Sequence, residues 1–265
     1  MLARQRQEYI LELLDRQGGI RVAEVVEALE VSEMTVRRDI TELVNQGLAQ
    51  RVHGGAVPAL TPSHEPNFDT KSTQHQDAKA RIGQAAAELI RPHDSLALSA
   101  GTTTLAIAQA LPQLEHFATL TIVTNSLPAA QSLFDAADEA RAKGHPAPTV
   151  LLTGGERTPS NALVGPSAVD TLESLQVKWV FLGAHGFSPE IGLMTPNLNE
   201  SAVNHALIKS ARTIVAAVDS SKWNVMGIRT FCPTSELSML VTDAPPAPEI
   251  SKVLKHHDIS VIVAQ

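Results

Sequence analysis

VSEMTVRRDITELVNQGLAQRVHGGA, residues 31–56, encodes one helix and one hairpin, and their reading decides the architecture of the first sixty residues. Ser32 is a favoured N-cap type, so a helix is expected over 33–46, with Gly47 able to end it in a left-handed conformation. At roughly 100° per residue, Val36, Ile40, Leu43 and Val44 gather on one face. Arg38 then points nearly opposite that face, with Thr35 and Thr41 on its two sides and Arg37 at the flank. The outward surface of the first two turns is therefore polar and basic. Residues 48–56 read as two short strands around a tight turn, with Arg51 and His53 close to its tip.

Working back from this stretch, two more amphipathic segments precede it. Tyr9, Ile10, Leu13 and Leu14 recur at helical spacing before the stop Gln17-Gly18-Gly19, and Val22, Val25, Val26 and Leu29 form one apolar stripe before the turn Glu30-Val31-Ser32. Two short helices, a turn and a third helix with polar residues near its start make a helix-turn-helix suited to the DNA major groove, and the hairpin is placed to act as a wing. Ser32, Thr35, Arg37 and Arg38 are the candidate DNA-contacting residues of the helix, and Arg51 and His53 those of the wing, near phosphates or the minor groove. A bland alternative is a three-helix cap used only for dimerisation. The formal net charge of −7 excludes a generic polyanion binder, and even residues 1–57 hold seven Arg against nine Asp plus Glu. DNA binding therefore requires basic residues concentrated on one surface.

Beyond the wing, Pro58, Pro62 and Pro66 interrupt any periodicity, so 58–76 is expected to be a linker, with Phe68 its one docking point. From Asp77 onward, helical segments alternate with short apolar runs: a helix over 78–90, then runs at 95–98, 121–123, 149–152, 179–182 and 213–216, with further candidates at 238–241 and 259–263. Runs of this length without alternation read as buried parallel strands, and they predict a doubly wound α/β domain over 77–265 with its ligand groups at the strand C-terminal ends. The expected fold class is α/β, with an N-terminal winged helix-turn-helix over 1–57.

Those strand ends carry polar loops. Gly101 with Thr102, Thr103 and Thr104 opens a helix, and a glycine turn with hydroxyls at a helix N-terminus can bind phosphate, although plain capping by Thr102 or Thr103 explains the hydroxyls equally well. Thr124-Asn125-Ser126, Thr153-Gly154-Gly155, Gly183-Ala184-His185-Gly186 and Asp219-Ser220-Ser221-Lys222 each follow a strand directly, offering amides, hydroxyls and one ammonium to a hydroxylated anion. Lys222 is by default a solvated charge.

The VSEMTVRRDI helix with its RVHGGA wing resembles the DNA-binding signature of the DeoR family of bacterial transcriptional regulators, and the resemblance spans nearly the whole chain. It implies that Arg37 and Arg38 contact DNA, and that the second domain is a Rossmann-like sensor related to ribose-5-phosphate isomerase. The matching elements there are GTTT at 101–104, TNS at 124–126, the glycines at 154–155, the GxxG at 183–186, Glu200 opening a helix and DSSK at 219–222. By this resemblance the effector is a phosphorylated sugar or similar metabolite, bound by Gly101, Thr102, Thr103, Thr104, Asn125, Ser126, Gly154, Gly155, His185, Glu200 and Lys222. Three departures bear on which effector fits. Ser99-Ala100 stands where the family commonly has Asp, Asn204 closes a stretch where it commonly has Lys, and His185 lies between the two glycines.

Catalysis finds little support. Aldose–ketose isomerisation needs a positioned carboxylate, and 182–186 contains none; Asp219 and Glu200 are the remaining acids, each more readily explained as a cap or helix-starting residue. An isomerase-like enzyme fused to a helical module is the alternative reading. No His spacing suggests a metal site, no Walker sequence suggests ATP, and Cys232 stands as the single cysteine, so neither cofactor nor redox chemistry is expected. Residues 1–10 lack the apolar stretch of a signal peptide, which predicts a cytoplasmic protein. The expected partners are operator DNA, a phosphorylated small molecule and further copies of the chain, since one short recognition helix reads too few bases by itself. No membrane partner is expected.

Overall fold

Ile10, Leu13 and Leu14 share one face of α1 (Ala3–Gln17), and all three are buried. The computed structural model describes residues 2–46, 48–58 and 68–265. Gly18, at φ 70°, ends α1 and donates its N–H to Leu14 O at 2.9 Å, so the glycine stop acts as its sequence predicts. There follow β1 (Ile20–Arg21), α2 (Val22–Leu29) and α3 (Glu33–Asn45). Ser32 caps α3, its hydroxyl accepting the Thr35 N–H at 3.2 Å. The expected left-handed Gly47 lies outside the described residues; the helix itself ends at Gln46 in a right-handed conformation.

β2 (Ala49–Val52) and β3 (Gly55–Pro58) form the hairpin, and β1 adds a third antiparallel strand in the order β1-β3-β2. Two residues were too few for this strand to be read from periodicity. The small sheet closes a core of Ile10, Leu14, Val25, Val36, Ile40 and Leu43 with Ile20 and Ala56. Gly55 is where β1 and β3 meet most closely: a Cβ there would stand 1.9 Å from Ile20 O. Gly55→Ala is therefore expected to push β1 off the hairpin at a cost of about 1–3 kcal/mol. Hydrogen exchange at Val22 N–H, which donates to Gly54 O at 2.9 Å, would report it, and unchanged protection would disprove the clash.

The expected linker at 58–76 is corrected at both ends. Pro58 closes β3, α4 (Phe68–Thr73) is helical and Gln76 already belongs to α5 (Gln76–Ala87); residues 59–67 lie outside the described ones. After Pro66 the chain meets neither Pro nor Gly until Gly83, so nothing in it opposes helix formation. His75, at φ 52°, separates the two helices, and the chain divides between Gln74 and His75 into two compact units. Phe68 is half-buried, and α4 packs on α1.

In the second unit, β4 (Ser95–Leu98), α6 (Thr102–Ala110), β5 (Thr121–Thr124), α7 (Leu127–Ala142) and β6 (Thr149–Leu152) come first. Then follow β7 (Glu156–Arg157), β8 (Leu163–Val164), α8 (Pro166–Glu173), β9 (Val177–Leu182), β10 (Gly186–Ser188) and β11 (Gly192–Thr195). The chain closes with α9 (Leu198–Lys209), β12 (Ala211–Ala217), β13 (Arg229–Cys232), β14 (Met239–Thr242), α10 (Pro248–His256) and β15 (Ser260–Val263). Seven strands make one parallel sheet in the order β15-β14-β12-β9-β4-β5-β6. Residues alternate between two cores. Leu98, Phe181 and Ala217 pack with residues of α5, α6 and α7, whereas Ala97, Leu182 and Ala216 pack with residues of α8, α9 and α10. Burial on both faces is why the interior strands carry no hydrophobic alternation.

Two features depart from the sequence reading. β6 was expected to be buried but is an edge strand, leaving Leu151 and Leu152 exposed because no strand among the described residues lies beyond them. β10, β11 and β13 form a separate antiparallel sheet, and β7 pairs with β8; all are short and set among glycines and turns. At the N-terminal ends of β4 and β9, Asp94 binds Lys178 Nζ at 2.8 Å and Trp179 Nε1 at 2.9 Å. Burial alone would raise its pKa, but these bonds and the Arg91 N–H outweigh it and hold the carboxyl below its usual range.

Candidate nucleic-acid interface and ligand site

The exposed start of α3 holds several polar side chains in contact with one another. Ser32 Oγ and Thr35 Oγ1 lie 2.8 Å apart, and Arg37 reaches back one turn to Glu33 with Nε and Nη2 at 2.8 and 2.6 Å. Both members of that ion pair are largely exposed, so it holds Arg37 weakly. Arg38 is exposed and has no hydrogen-bonded or ionic partner among the described residues. Among the described residues its guanidinium is the free cation of this face. Asp39, one residue on, turns inward and is 4% exposed, bound by Arg6 Nε at 2.7 Å and Nη2 at 3.2 Å. This two-pronged bond ties α3 to α1.

On the wing, the register pairs Val52 with Gly55, which leaves His53-Gly54 as the turn, with Gly54 at φ 78°. Arg51 and His53 are both exposed. All six sequence-derived DNA candidates thus belong to the N-terminal unit, four at the start of α3 and two at the hairpin.

In the second unit the sheet order places a topological switch between β4 and β9: from β4 the chain proceeds to β5 and β6, and from β9 it proceeds the other way to β12, β14 and β15. The strand C-terminal ends open a crevice at such a point. Ser99 bridges it, its Oγ accepting the Gly183 N–H at 3.0 Å. That hydroxyl is therefore held in a structural hydrogen bond between the two strand ends.

Two residues after it, Gly101 adopts φ 149° as the N-cap of α6, and no side chain caps the helix. The proposed capping by Thr102 or Thr103 is corrected: Thr104 Oγ1 instead donates to Gly101 O at 3.0 Å, and Leu105 N–H donates to the same oxygen at 3.1 Å. The N–H groups of the first turn have no acceptor within the helix, and the helix dipole makes this end favourable for an anion.

The flanking loops fall into two groups. On the β5 side, Asn125 is 1% exposed; its Nδ2 donates to Leu163 O at 3.1 Å, while its Oδ1 is buried with no partner among the described residues. Leu163 O can only accept, which fixes the amide orientation and makes Oδ1 an acceptor awaiting a donor. Ser126 accepts the Ala129 N–H at 3.3 Å as the cap of α7. Gly154 and Gly155 take φ 74° and 114°, and a Cβ on Gly155 would stand 2.3 Å from Val164 O, so close packing accounts for that glycine. Glu200, in the first turn of α9, accepts from Thr158 Oγ1 at 3.0 Å. Thr158 hydroxyl also accepts the Ala162 N–H at 3.2 Å, next to Leu163. Thr158 thereby joins Glu200 to the Asn125 loop, a role that no sequence signal marked.

On the β12 side, Lys222 lies in a single 3-10 turn capped by Asp219, whose Oδ1 accepts from the Ser221 N–H at 3.1 Å and from the Ser221 hydroxyl. Asp219 Oδ2 is buried without a partner among the described residues. Asn224 N–H donates to Phe187 O at 2.8 Å, which binds the Lys222 loop to the segment just after His185. The His185 N–H itself donates to Met194 O at 3.1 Å. Cys232 is remote from such chemistry, because burial pushes its thiol up to about 12 and the neighbouring Glu236 adds to the effect.

Comparison with known proteins bears on both units. A family model described as the DeoR-like helix-turn-helix domain matches residues 6–60, and one described as the DeoR C terminal sensor domain matches residues 74–244. The chain is 33% identical to an uncharacterized HTH-type transcriptional regulator, YgbI of Escherichia coli K12, over 100% of this chain and 99% of that protein. It is also 33% identical to the glycerol-3-phosphate regulon repressor of the same organism, over 97% of each chain. Among solved structures, ribose 5-phosphate isomerase A of Methanocaldococcus jannaschii aligns with a TM-score of 0.38 at 16% identity, over 57% of this chain and 55% of that one.

Proposed function

The chain belongs to the DeoR family of DNA-binding transcriptional regulators, and from that premise we propose that it represses carbohydrate-related genes until a hydroxylated phosphate monoester binds at the N-terminus of α6. The observation that carries the ligand reading is the uncapped first turn of α6 at the switch point. Its free N–H groups and dipole suit a phosphate. Asn125 Oδ1, buried one strand away, accepts a hydrogen bond and so favours a ligand with a hydroxyl close to the phosphate. Glu200 in the first turn of α9, Lys222 and His185 complete the set that this reading assigns to the ligand.

The same geometry supports binding without turnover. The loop after β9, Gly183-Ala184-His185-Gly186, offers no carboxylate, and Glu200 and Asp219 each hold a structural hydrogen bond. No helix among the described residues is long and apolar enough to cross a membrane. DNA reading by paired recognition helices calls for at least a two-fold assembly of this chain, and the effector acts by binding the DNA-competent and DNA-released arrangements unequally.

A thermal-shift screen of the full chain with sugar phosphates and their unphosphorylated parents tests this reading. A ligand at a hundred times its Kd adds about 2.7 kcal/mol, which raises Tm by roughly 5–10 °C. Thr102→Glu sets a carboxylate where the phosphate belongs, yet an acid in a helix's first turn suits the dipole, so the variant should fold and lose the whole shift. Equal shifts from phosphorylated and unphosphorylated sugars, or a full shift in Thr102→Glu, would remove the phosphate assignment.

A further inference from the structure

Met34 is the most exposed large apolar side chain of the described residues, at 81%, and it occupies the second position of α3, the recognition helix. Nothing in the packing of the N-terminal unit requires it, since the core face of α3 is filled by Val36, Ile40 and Leu43. It stands one turn before Arg38, so the two side chains are neighbours on the helix surface. At roughly 100° per residue they straddle the line opposite the core, where a helix lying in the major groove meets the base edges. The polar residues around them are engaged locally: Ser32 with Thr35, Arg37 with Glu33, and the Thr41 hydroxyl with Arg37 O at 2.7 Å. Met34 and Arg38 both line the open depression between the starts of α1 and α3.

The major groove offers one apolar feature, the C5 methyl group of thymine, and the commonest specific partner of arginine is the O6/N7 edge of guanine. Side chains one helical turn apart have Cβ atoms about 5–6 Å from each other, which spans one to two base-pair steps of about 3.4 Å. We propose that Met34 is a specificity-determining residue that packs on a thymine methyl one or two base pairs from the guanine that Arg38 contacts. A thioether chain is flexible and polarizable, so it follows the methyl without demanding an exact approach. This inference rests on the reading of α3 as the recognition helix.

The experiment uses the full chain and a duplex operator selected from randomised DNA. Each thymine of the selected site is replaced in turn by deoxyuridine, which removes only the methyl group. At one position per half-site, within two base pairs of a guanine whose identity matters to the wild type but not to Arg38→Ala, uracil should weaken wild-type binding about fourfold, the worth of one buried methyl. Met34→Ala, an exposed substitution to the best helix former, removes the contact in both half-sites, so it should weaken binding to the thymine operator about sixteenfold and show no further loss with uracil. Its dependence on salt should match that of the wild type, because no phosphate contact is lost. A uracil penalty that is equal in wild type and Met34→Ala, or none at any position, overturns the assignment to Met34. A full chain that enriches no sequence at all overturns the recognition-helix premise instead, so the two failures are distinct.

Discussion

Arg38→Ala is expected to erase most of the preference for a selected operator over random duplex, by at least about tenfold per half-site and so about a hundredfold in a two-fold complex. The physical reason is the isolation of this guanidinium. It is exposed on the first two turns of α3 and no acidic side chain among the described residues neutralises it, whereas Arg37 is held by Glu33 at 2.8 and 2.6 Å. Arg37→Ala should therefore act mainly on sequence-independent affinity, lowering the salt slope by about one unit per half-site and leaving the preference largely intact. Arg38→Lys should not rescue the preference, because an ammonium lacks the planar fork that fits a guanine edge. Fluorescence anisotropy at several salt concentrations separates these effects. Equal losses by Arg38→Ala on selected and random duplexes would reassign Arg38 to the phosphate backbone. The stabilisation by phosphorylated ligand should persist in every one of these variants.

That contrast matters because the whole chain is acidic, with a formal net charge of −7. The mean field of such a protein repels DNA at long range. Binding then depends on a few cations placed against the groove, which raises the share of affinity that each carries.

The α3 helix and its hairpin were legible because short-range chemistry specifies them: an N-cap serine, four apolar residues at helical spacing and a glycine-bearing turn. The seven-strand sheet was legible for a related reason, since burial on both faces gives its interior strands runs such as Trp179-Val180-Phe181-Leu182. What escaped reading depends on long-range pairing. β1 is two residues that become a strand only because Gly55 lets the hairpin approach Ile20. Strand order was equally hidden, so that β6 could not be told from an interior strand although Leu151 and Leu152 end up exposed.

The ligand end of the sheet shows the same division. The loops GTTT, TNS and DSSK were visible as hydroxyl-rich ends of apolar runs. The sequence could not tell that Ser126 is occupied in capping α7, that Ser99 bridges to Gly183, or that Thr158 carries Glu200 toward Asn125. Each of those hydrogen bonds joins residues whose proximity arises from the turn or from the fold rather than from composition. Helix α4 was missed for a different reason: the prolines before it suggested irregularity that does not extend past Pro66.

Asp39→Ala is expected to lower the melting temperature of the N-terminal unit by roughly 10 °C and to abolish operator binding above that unit's new transition, at temperatures where the wild type still binds, without touching the ligand response. The carboxylate is 4% exposed and receives both prongs of Arg6, at 2.7 and 3.2 Å, across thirty-three residues of sequence. Removing it breaks both hydrogen bonds that join α1 to α3 at this point, and breaking a half-buried pair from one side costs more than the pair contributes. Asp39 faces the protein while Arg38 faces outward, so its effect on DNA must come through the position of the helix. A double replacement distinguishes that role from direct contact. Arg6→Met with Asp39→Leu fills the same space with apolar atoms and should recover most of the stability. If Asp39 only positions α3, operator preference returns with the fold; if stability returns and preference does not, then Arg6 or Asp39 touches DNA itself. Either result fixes how the exposed basic face is held in register with the core beneath it.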